Sequence, residues 1–212
     1  MPLLPIIPNE IIFNTLRILK KHNVGDLYYE AYLGHLAKRK ETFFDVYHFA
    51  WAWVIKYKPR RILEIGVRTG LSICQLLSAY IDYSVIERVV LCDIFNDGYT
   101  SPDLVTMNLK ALNIPIDKIE FLVGDSKVEI PKLQGQFDYI LVDGSHDPTD
   151  ALLDLENVRP LITQGGVIVF DDIDPDGMSL APVWHKFMNK YQSEFEWHEN
   201  YSGKGIGWAI KL

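Results

Sequence analysis

From residue 60 onward, the sequence alternates short apolar runs with longer stretches that have helical periodicity. The apolar runs predict strands at Arg61–Ile65, Arg88–Asp93, Ile119–Val123, 139–142 and 166–170. The stretches that follow these runs predict helices near 71–82, 102–112, 126–132, 149–158 and 180–191. Strands that are apolar on both faces and alternate with helices form a parallel sheet with a helical layer on each side. The pattern therefore predicts an α/β fold.

The end of the sequence predicts two more strands of a different kind. The runs 194–199 and 206–212 flank a turn at 201–205 that contains two glycines. Two short β-rich runs separated by such a turn are typical of an antiparallel hairpin. Together with the five parallel strands, this hairpin completes a Rossmann-like, seven-stranded, mostly parallel sheet within one domain at 59–212.

The first part of the chain, 1–58, is predicted to be an N-terminal helical extension. Its three helices are expected at 10–22, 28–39 and 42–56, with the N-terminal caps Asn9, Asp26 and Thr42. Aromatic residues crowd the third helix, which indicates burial against the sheet. A lid or substrate pocket built from the same aromatics is the alternative.

Composition narrows the classes of function. The chain has 21 basic and 28 acidic residues, a net charge of −7, which disfavours binding to nucleic acid. Its two cysteines, Cys74 and Cys92, form no CxxC pair, so neither a disulfide framework nor a zinc site is expected. The most apolar helical stretch is too short and too charged to span a membrane, and the N-terminus does not resemble a signal peptide. We expect a cytoplasmic protein with no nucleic-acid or membrane partner.

A glycine loop follows the first predicted strand. The residues Leu-Glu-Ile-Gly-Val-Arg-Thr-Gly place Glu64, Gly66 and Gly70 in an ExGxxxG pattern where the strand passes into a helix. Glycines at such a point permit a tight turn and the close approach of a ligand to the backbone. An acidic residue beside the loop would repel a pyrophosphate and attract a cationic ligand. A glycine turn without a ligand is the alternative for this motif taken alone.

Polar residues also end the next two predicted strands. Asp93 ends the second strand, where a carboxylate can accept hydrogen bonds from both ribose hydroxyls of a nucleoside. Asp125 and Ser126 follow the third strand. Because parallel strands end at one edge of the sheet, these residues predict a ligand at that edge.

Acidic residues are concentrated after the fourth and fifth strands. Asp143 and His146 belong to the sequence Asp-Gly-Ser-His, and Asp171 and Asp172 follow Phe170. Residues 138–176 contain ten acidic residues and one basic residue, a local charge of −9. Close carboxylates raise one another's pKa unless a cation intervenes. These carboxylates are therefore expected to bind a hard divalent ion, for which Mg²⁺ is the first candidate.

From about residue 43 to its end, the sequence resembles the class I S-adenosylmethionine-dependent methyltransferases. The glycine loop resembles their motif I, whose cofactor carries an ammonium and a sulfonium. The resemblance implies that the cofactor binds Glu64, Gly66, Gly70, Asp93, Asp125, Ser126 and Asp143.

The acidic strand ends resemble the metal-dependent group that contains catechol and macrocin O-methyltransferase-like enzymes. In that group the positions of Asp143, Asp171 and Asp172 bind the metal, here Mg²⁺. A histidine three residues after the first aspartate is the suggested base in the sugar-type members, so His146 and Asp143 are the implied catalytic residues. Catechol-type members have a lysine at the position of His146.

The expected function is transfer of a methyl group from S-adenosylmethionine to a hydroxyl oxygen of a small molecule, of sugar or polyketide type, with help from Mg²⁺. A metal-independent small-molecule methyltransferase is one alternative. A nicotinamide-dependent oxidoreductase is another, against which the ExGxxxG pattern counts because that class uses GxGxxG. The aromatic N-terminal helix region before residue 58 could form a dimer interface, so a homo-oligomer is a further possibility.

Overall fold

Seven strands form one sheet in the computed structural model, which describes residues 4–21, 44–175 and 179–212. The strands are β1 Arg61–Ile65, β2 Arg88–Asp93, β3 Ile119–Val123, β4 Phe137–Val142, β5 Ile162–Phe170, β6 Phe195–Asn200 and β7 Ile206–Lys211. Their spatial order is β3-β2-β1-β4-β5-β7-β6. Strands β1 to β5 are parallel, and β7 runs antiparallel between β5 and β6. The predicted fold class is confirmed.

Helices connect the strands and cover the sheet. They are α1 Asn9–Lys21, α2 Val46–Tyr57, α3 Leu71–Ser78, α4 Pro102–Ala111, α5 Ser126–Glu129, α6 Pro148–Val158 and α7 Ala181–Tyr191. Helix α3 is shorter than predicted, and the predicted helix at 126–132 divides into α5 and the 3₁₀ turn Ile130–Lys132. Pro131 has no N–H to continue the α-helical hydrogen bonds.

The start of α2 differs from the prediction. The helix begins at Val46, and its cap is Asp45, whose carboxylate accepts hydrogen bonds from the backbone N of Tyr47 at 3.0 Å and of His48 at 3.3 Å. An aspartate is among the preferred N-cap residues. The predicted cap Thr42, and the helix predicted at 28–39 with its cap Asp26, lie outside the described residues.

Strands β4 and β5 begin earlier than the apolar runs suggest. On the N-terminal side of the paired residues Tyr139 and Val167, the register of the two strands shifts. The next pair is Phe137 with Ile162. The two glycines at 165 and 166 look like a turn in the sequence, yet they lie within β5, where Gly165 has a φ of +76°. The strand is therefore irregular at this point, as is typical of a bulge.

The core has two layers, one on each face of the sheet. Adjacent β1 residues point to opposite faces, so Ile62 packs with α1 to α4 and Leu63 packs with α6 and α7. The first layer includes Ile12, Leu16, Phe49, Trp53, Ile73, Leu76, Val105 and Leu109. The second layer includes Leu155, Val158, Val183, Trp184 and Phe187. The aromatic helix α2 thus packs in the core, while the domain boundary at residue 58 stays a prediction.

Two further expectations concern the cysteines and membrane-spanning helices. Cys74 and Cys92 are both buried and unpaired with each other, as expected for core cysteines. Among the described residues, no helix is both long and apolar enough to cross a membrane.

Candidate active site

The glycine loop after β1 depends on a close approach of two backbone segments. Gly66 has a φ of +87°, and a Cβ there would lie 1.8 Å from the backbone oxygen of Asp143. Gly70 has a φ of +78° and immediately precedes α3, where a Cβ would lie 2.7 Å from Val105 Cγ1. No residue with a side chain fits at position 66 without moving the end of β4. The loop therefore lies directly against the strand end that carries Asp143.

Glu64 lies beneath this loop. Its side chain is buried, and it accepts a hydrogen bond from the hydroxyl of Ser72 in the first turn of α3. Burial raises the pKa of Glu64 to about 8, and the negative charge of Asp93 adds to this, while the bond from Ser72 opposes it. A cation bound above the loop would favour the ionised form of this carboxyl.

A cavity of about 320 Å³ opens at the carboxyl edge of the sheet. Its walls come from the residues after β1, β2, β3 and β4. The cavity is lined by five of the seven predicted cofactor residues, namely Gly66, Asp93, Asp125, Ser126 and Asp143. Glu64 and Gly70 are not among its lining residues. The four strand ends therefore converge on one space, as the sequence predicts.

The Asp93 carboxylate holds the glycine loop in place. One oxygen, Oδ2, accepts a hydrogen bond from the backbone N of Arg68 at 2.8 Å, and Oδ1 accepts one from the backbone N of Phe95 at 2.8 Å. Each carboxylate oxygen can accept a second bond. Asp93 can therefore orient the loop and still receive ribose hydroxyls in the cavity.

Asp125 has a structural partner in addition to its place in the cavity. It caps α5 by accepting a hydrogen bond from the backbone N of Lys127 at 2.9 Å. Lys127 Nζ lies 3.5 Å from Asp125 Oδ2 and 2.8 Å from Asp150 Oδ2. The adjacent lysine partly neutralises this end of the cavity.

An acidic cluster forms where β4 and β5 end side by side. Asp143 follows β4, Asp171 and Asp172 follow β5, and the backbone N of Asp171 donates to Val142 O at 3.3 Å. One ligand atom from each of Asp143, His146 and Asp172 lies within 4.8 Å of the other two. His146 Nε2 is 2.8 Å from Asp172 Oδ2. This group thus contains both predicted catalytic residues, Asp143 and His146, and two of the three predicted metal ligands, Asp143 and Asp172; Asp171, the third, is not part of it.

Asp171 is the most buried member of the acidic cluster. Its side chain is 1% exposed, and its Oδ1 has no hydrogen-bond partner among the described residues. Asp172, the next residue, has a φ of +61°, in the left-handed region that aspartate tolerates better than most residues. This turn of the backbone directs two consecutive carboxylates to the same place.

Lys204 is a member of this cluster that the sequence analysis did not identify. It lies in the turn between β6 and β7, and its Nζ is 2.9 Å from Asp171 Oδ2 and 3.0 Å from Asp172 Oδ1. The pairing of β7 with β5 brings this turn to the end of β5. The lysine in the predicted hairpin turn could have been recognised as a partner of the acidic residues only if the position of the hairpin in the sheet had been known.

The charges within the cluster are strongly interdependent. Burial raises the pKa of Asp143 well above its ordinary value, and the neighbouring Asp171 adds to the effect. Burial alone would also raise the pKa of Asp172, but the charge of Lys204 and the hydrogen bonds from His146 and Lys204 lower it. Burial would lower the pKa of Lys204, yet the carboxylates of Asp171, Asp143 and Asp172 raise it. Lys204 is therefore a fully charged ammonium at neutral pH.

The start of α2 lies against the same cluster. The backbone N of Phe44 donates to Ser202 Oγ at 3.0 Å, which ties this segment to the turn that carries Lys204. Burial raises the pKa of Tyr47, and the charges of Asp45, Asp143 and Asp171 add to it. Tyr47 is thus close enough to feel the cluster, so the aromatic helix contributes to the surroundings of the site as well as to the core.

The fold and the residues at its carboxyl edge define the class of protein. A sheet of this order, with a terminal antiparallel hairpin and a cavity at the ends of its first four strands, is the architecture of class I methyltransferases. A family model described as a methyltransferase domain matches residues 63–173, more than half of the chain. The chain belongs to this methyltransferase family. The oxidoreductase alternative is therefore excluded.

Solved structures with the same fold include several O-methyltransferases. A putative caffeoyl-CoA O-methyltransferase from Staphylococcus aureus has a TM-score of 0.63 at 15% identity, and the match covers 94% of this chain and 100% of that one. TomG from Streptomyces achromogenes, in complex with S-adenosylmethionine, has a TM-score of 0.64 at 19% identity, covering 98% and 92%. An O-methyltransferase from Bacillus cereus, in complex with S-adenosylhomocysteine, has a TM-score of 0.64 at 18% identity, covering 97% and 92%. A search of curated protein sequences finds no significant match.

Proposed function

We propose that this chain transfers the methyl group of S-adenosylmethionine to a hydroxyl oxygen of a small molecule. The observation that carries the proposal is the position of the cavity, whose lining includes Asp143, beside the cluster that Asp143 forms with His146 and Asp172. A cofactor site and a proton-accepting site therefore share one residue. The complexes of TomG and the Bacillus cereus enzyme, with S-adenosylmethionine and S-adenosylhomocysteine respectively, support the choice of cofactor.

The cofactor would lie along the ends of β1 to β4. Asp93 would accept the ribose hydroxyls, and Asp125 and Ser126 would contact the adenine. Gly66 and Gly70 shape the loop that meets the methionine part of the cofactor. The carboxyl of Glu64 beneath the loop would favour the cofactor's cationic end, with Asp143 nearby.

The donor chemistry of the acidic cluster fits a hard divalent ion. Asp143, Asp171 and Asp172 offer carboxylate oxygens, and the buried Oδ1 of Asp171 lacks a partner among the residues described. These three residues would hold Mg²⁺, which when bound lowers the pKa of an acceptor hydroxyl. Lys204 already contacts two of them, a point that favours the metal-independent alternative.

His146 is the proposed base. When its Nε2 donates to Asp172 Oδ2, the carboxylate fixes the tautomer and leaves Nδ1 as an acceptor for a proton. The acceptor oxygen attacks the methyl carbon, the carbon–sulfur bond breaks, and the hydroxyl proton passes to His146. Holding the sulfonium methyl in line with the oxygen supplies several kcal/mol of the barrier reduction.

The acceptor we favour is a sugar or polyketide with neighbouring hydroxyls, since such a pair could reach both a cation and a base. Nucleic acid is a poor candidate for a chain with a net charge of −7. A cytoplasmic location and a homo-oligomer stay predictions.

The test combines binding with turnover. Calorimetric titration should show that S-adenosylmethionine binds the wild-type protein, and that Asp93→Asn weakens binding by about tenfold or more because a charge-assisted bond is lost. Asp82→Asn, at an exposed 3₁₀ cap outside the cavity, is the control. The second part of the test measures turnover. Incubation with diol acceptors should release S-adenosylhomocysteine. If the metal is required, EDTA should abolish the release of S-adenosylhomocysteine and added Mg²⁺ should restore it. A protein that fails to bind S-adenosylmethionine would refute the proposal.

A further inference from the structure

The acidic cluster already has a cation supplied by the chain itself. The carboxylates of Asp171 and Asp172, at the end of β5, both contact Lys204, and a ligand atom of Asp143, at the end of β4, lies within 4.8 Å of one of Asp172. The Asp171 side chain is almost wholly buried. A buried carboxylate is costly unless it is paired. Lys204 supplies that pairing with Nζ contacts of 2.9 and 3.0 Å to Asp171 and Asp172.

The backbone holds the turn of Lys204 in place. The backbone N of Asp174 donates to Lys204 O at 2.8 Å, and the backbone N of Ile173 donates to Gly205 O at 3.0 Å. Gly205 has a φ of +82°, and a Cβ there would lie 2.2 Å from the backbone N of Asp174. The turn is therefore fastened to the segment that directly follows Asp171 and Asp172. Its position aims the lysine at the cluster.

A divalent ion and the ammonium compete for the same oxygens. Mg²⁺ binds carboxylate oxygens at about 2.1 Å, so on Asp171 Oδ2 or Asp172 Oδ1 it would lie within a few ångströms of Lys204 Nζ. Like charges at that separation repel strongly in a partly buried site. The four-carbon stem of lysine can swing the ammonium away while the backbone turn stays fixed.

We infer that Lys204 is the built-in counter-ion of the cluster and that a divalent cation must displace its ammonium from Asp171 and Asp172 in order to bind. The inference rests on the proposed function for the identity of the metal-binding carboxylates. It makes Lys204 a positioning residue that sets metal affinity. The cluster then has two states: in one, Lys204 pairs with Asp171 and Asp172, and in the other, these carboxylates bind the metal.

The first experiment measures metal affinity directly. Mn²⁺ is titrated into the metal-free wild-type protein and the variants Lys204→Gln, Lys204→Arg and Lys211→Gln, with free Mn²⁺ followed by electron paramagnetic resonance. Lys204→Gln should bind Mn²⁺ about tenfold more tightly or better, the scale of one close ionic interaction. Lys204→Arg keeps the charge and should bind weakly, like wild type. Lys211, whose ammonium contacts Glu194 in the same hairpin, is the matched control and should have no effect.

Unchanged or weaker Mn²⁺ binding by Lys204→Gln would overturn the inference, as would the absence of Mn²⁺ binding in both wild type and Lys204→Gln. Titration of S-adenosylmethionine into the same proteins keeps the two proposals separate. Failure of cofactor binding refutes the proposed function, whereas a metal affinity that ignores Lys204 refutes only the present inference.

A second measurement uses the wild-type protein, in case Lys204→Gln does not fold. Reductive methylation of lysines is followed by mass spectrometry with and without saturating Mg²⁺. Labelling of Lys204 should increase when Mg²⁺ displaces it, while Lys190 and Lys211, paired with Glu156 and Glu194, should not change. Constant labelling of Lys204 at a Mg²⁺ concentration that saturates the site would contradict displacement.

Discussion

Individual titratable residues carry the chemistry of the candidate site, and burial sets their behaviour. Glu64 and Asp171 lie in nearly water-free surroundings, while His146 is 43% exposed at the edge of the cluster. A buried carboxyl holds its proton more tightly, whereas an exposed imidazole can exchange protons with solvent. The site thus combines buried carboxyl groups that hold their protons tightly with one accessible proton acceptor.

Glu64 should make stability depend on pH in a known direction. Its pKa rises from 4.5 to about 8 on folding, so its contribution is fully present below about pH 4.5 and is lost as the pH rises through 8. Relative to Glu64→Gln, the wild-type protein should lose up to roughly 4 kcal/mol of unfolding free energy between these values. Urea denaturation at several pH values measures this. The exposed Glu10, changed to Gln, is the control. Parallel curves for wild type and Glu64→Gln would contradict the assigned cause.

His146→Ala should separate chemistry from binding. Loss of a general base lowers kcat by roughly 10²–10⁴-fold, and the pH–rate curve should lose the ionisation of that base. Affinity for S-adenosylmethionine should stay close to wild type, because His146 is not among the residues that line the cavity. His198, which contacts Glu196 on β6, is a histidine control that should leave kcat unchanged when replaced by Ala. An unchanged kcat for His146→Ala on the true acceptor would remove the base assignment.

At the scale of elements, turns rather than helices build the site. The loop after β1 and the turn between β6 and β7 each carry a glycine with positive φ that touches another backbone segment. These contacts lock Gly66 against Asp143 and Gly205 against Asp174. The functional side chains are therefore held by rigid turns at the ends of regular strands.

Gly66→Ala tests this dependence, with Gly98→Ala as its matched control. Both glycines have positive φ, +87° and +76°, so both variants incur the cost of a left-handed alanine, about 1 kcal/mol. Only at Gly66 would the new methyl also collide with backbone, at 1.8 Å, since Gly98 has open space. Gly66→Ala should therefore be the more destabilising in urea denaturation and should weaken cofactor binding. Equal losses in the two variants would mean that the collision is relieved without cost.

At the scale of the whole molecule, the N-terminal helices and the sheet share apolar contacts. Trp53 of α2 is 1% exposed and stacks on Phe49 with ring centroids 5.4 Å apart, and Phe49 in turn lies 5.3 Å from Trp208 of β7. The segment just before α2 is also tied to the turn between β6 and β7, through the hydrogen bond from Phe44 N to Ser202 Oγ. We therefore expect α2 and the sheet to unfold together.

Trp53→Ala tests the shared core. Removing a buried tryptophan costs about 3–5 kcal/mol of unfolding free energy. Ile55→Ala, on the same helix but 48% exposed, should cost far less. Urea denaturation followed by fluorescence and circular dichroism should give coincident single transitions in wild type. Separate transitions for the two probes would indicate that the helices and the sheet fold independently.

The sequence by itself determined the parallel sheet and most of its cavity. Strands β1, β2 and β3 have the predicted bounds because an apolar run between polar residues is a local property. Parallel strands end at one edge, so Asp93 and Asp143 could be placed together without coordinates. The cap of α2 at Asp45 and the early starts of β4 and β5 were missed because neighbouring turns obscure such boundaries.

Only the tertiary structure decided the charge balance of the site. Lys204 is 32 residues from Asp172 in the sequence, and its position depends on β7 inserting beside β5 in the antiparallel direction. Spacing along the chain does not encode that pairing, which forms through long-range contacts. The net charge of residues 138–176 by themselves is −9, which suggests that only a metal ion could balance these carboxylates. The folded chain places its own ammonium among those carboxylates, because a buried charge requires a nearby partner.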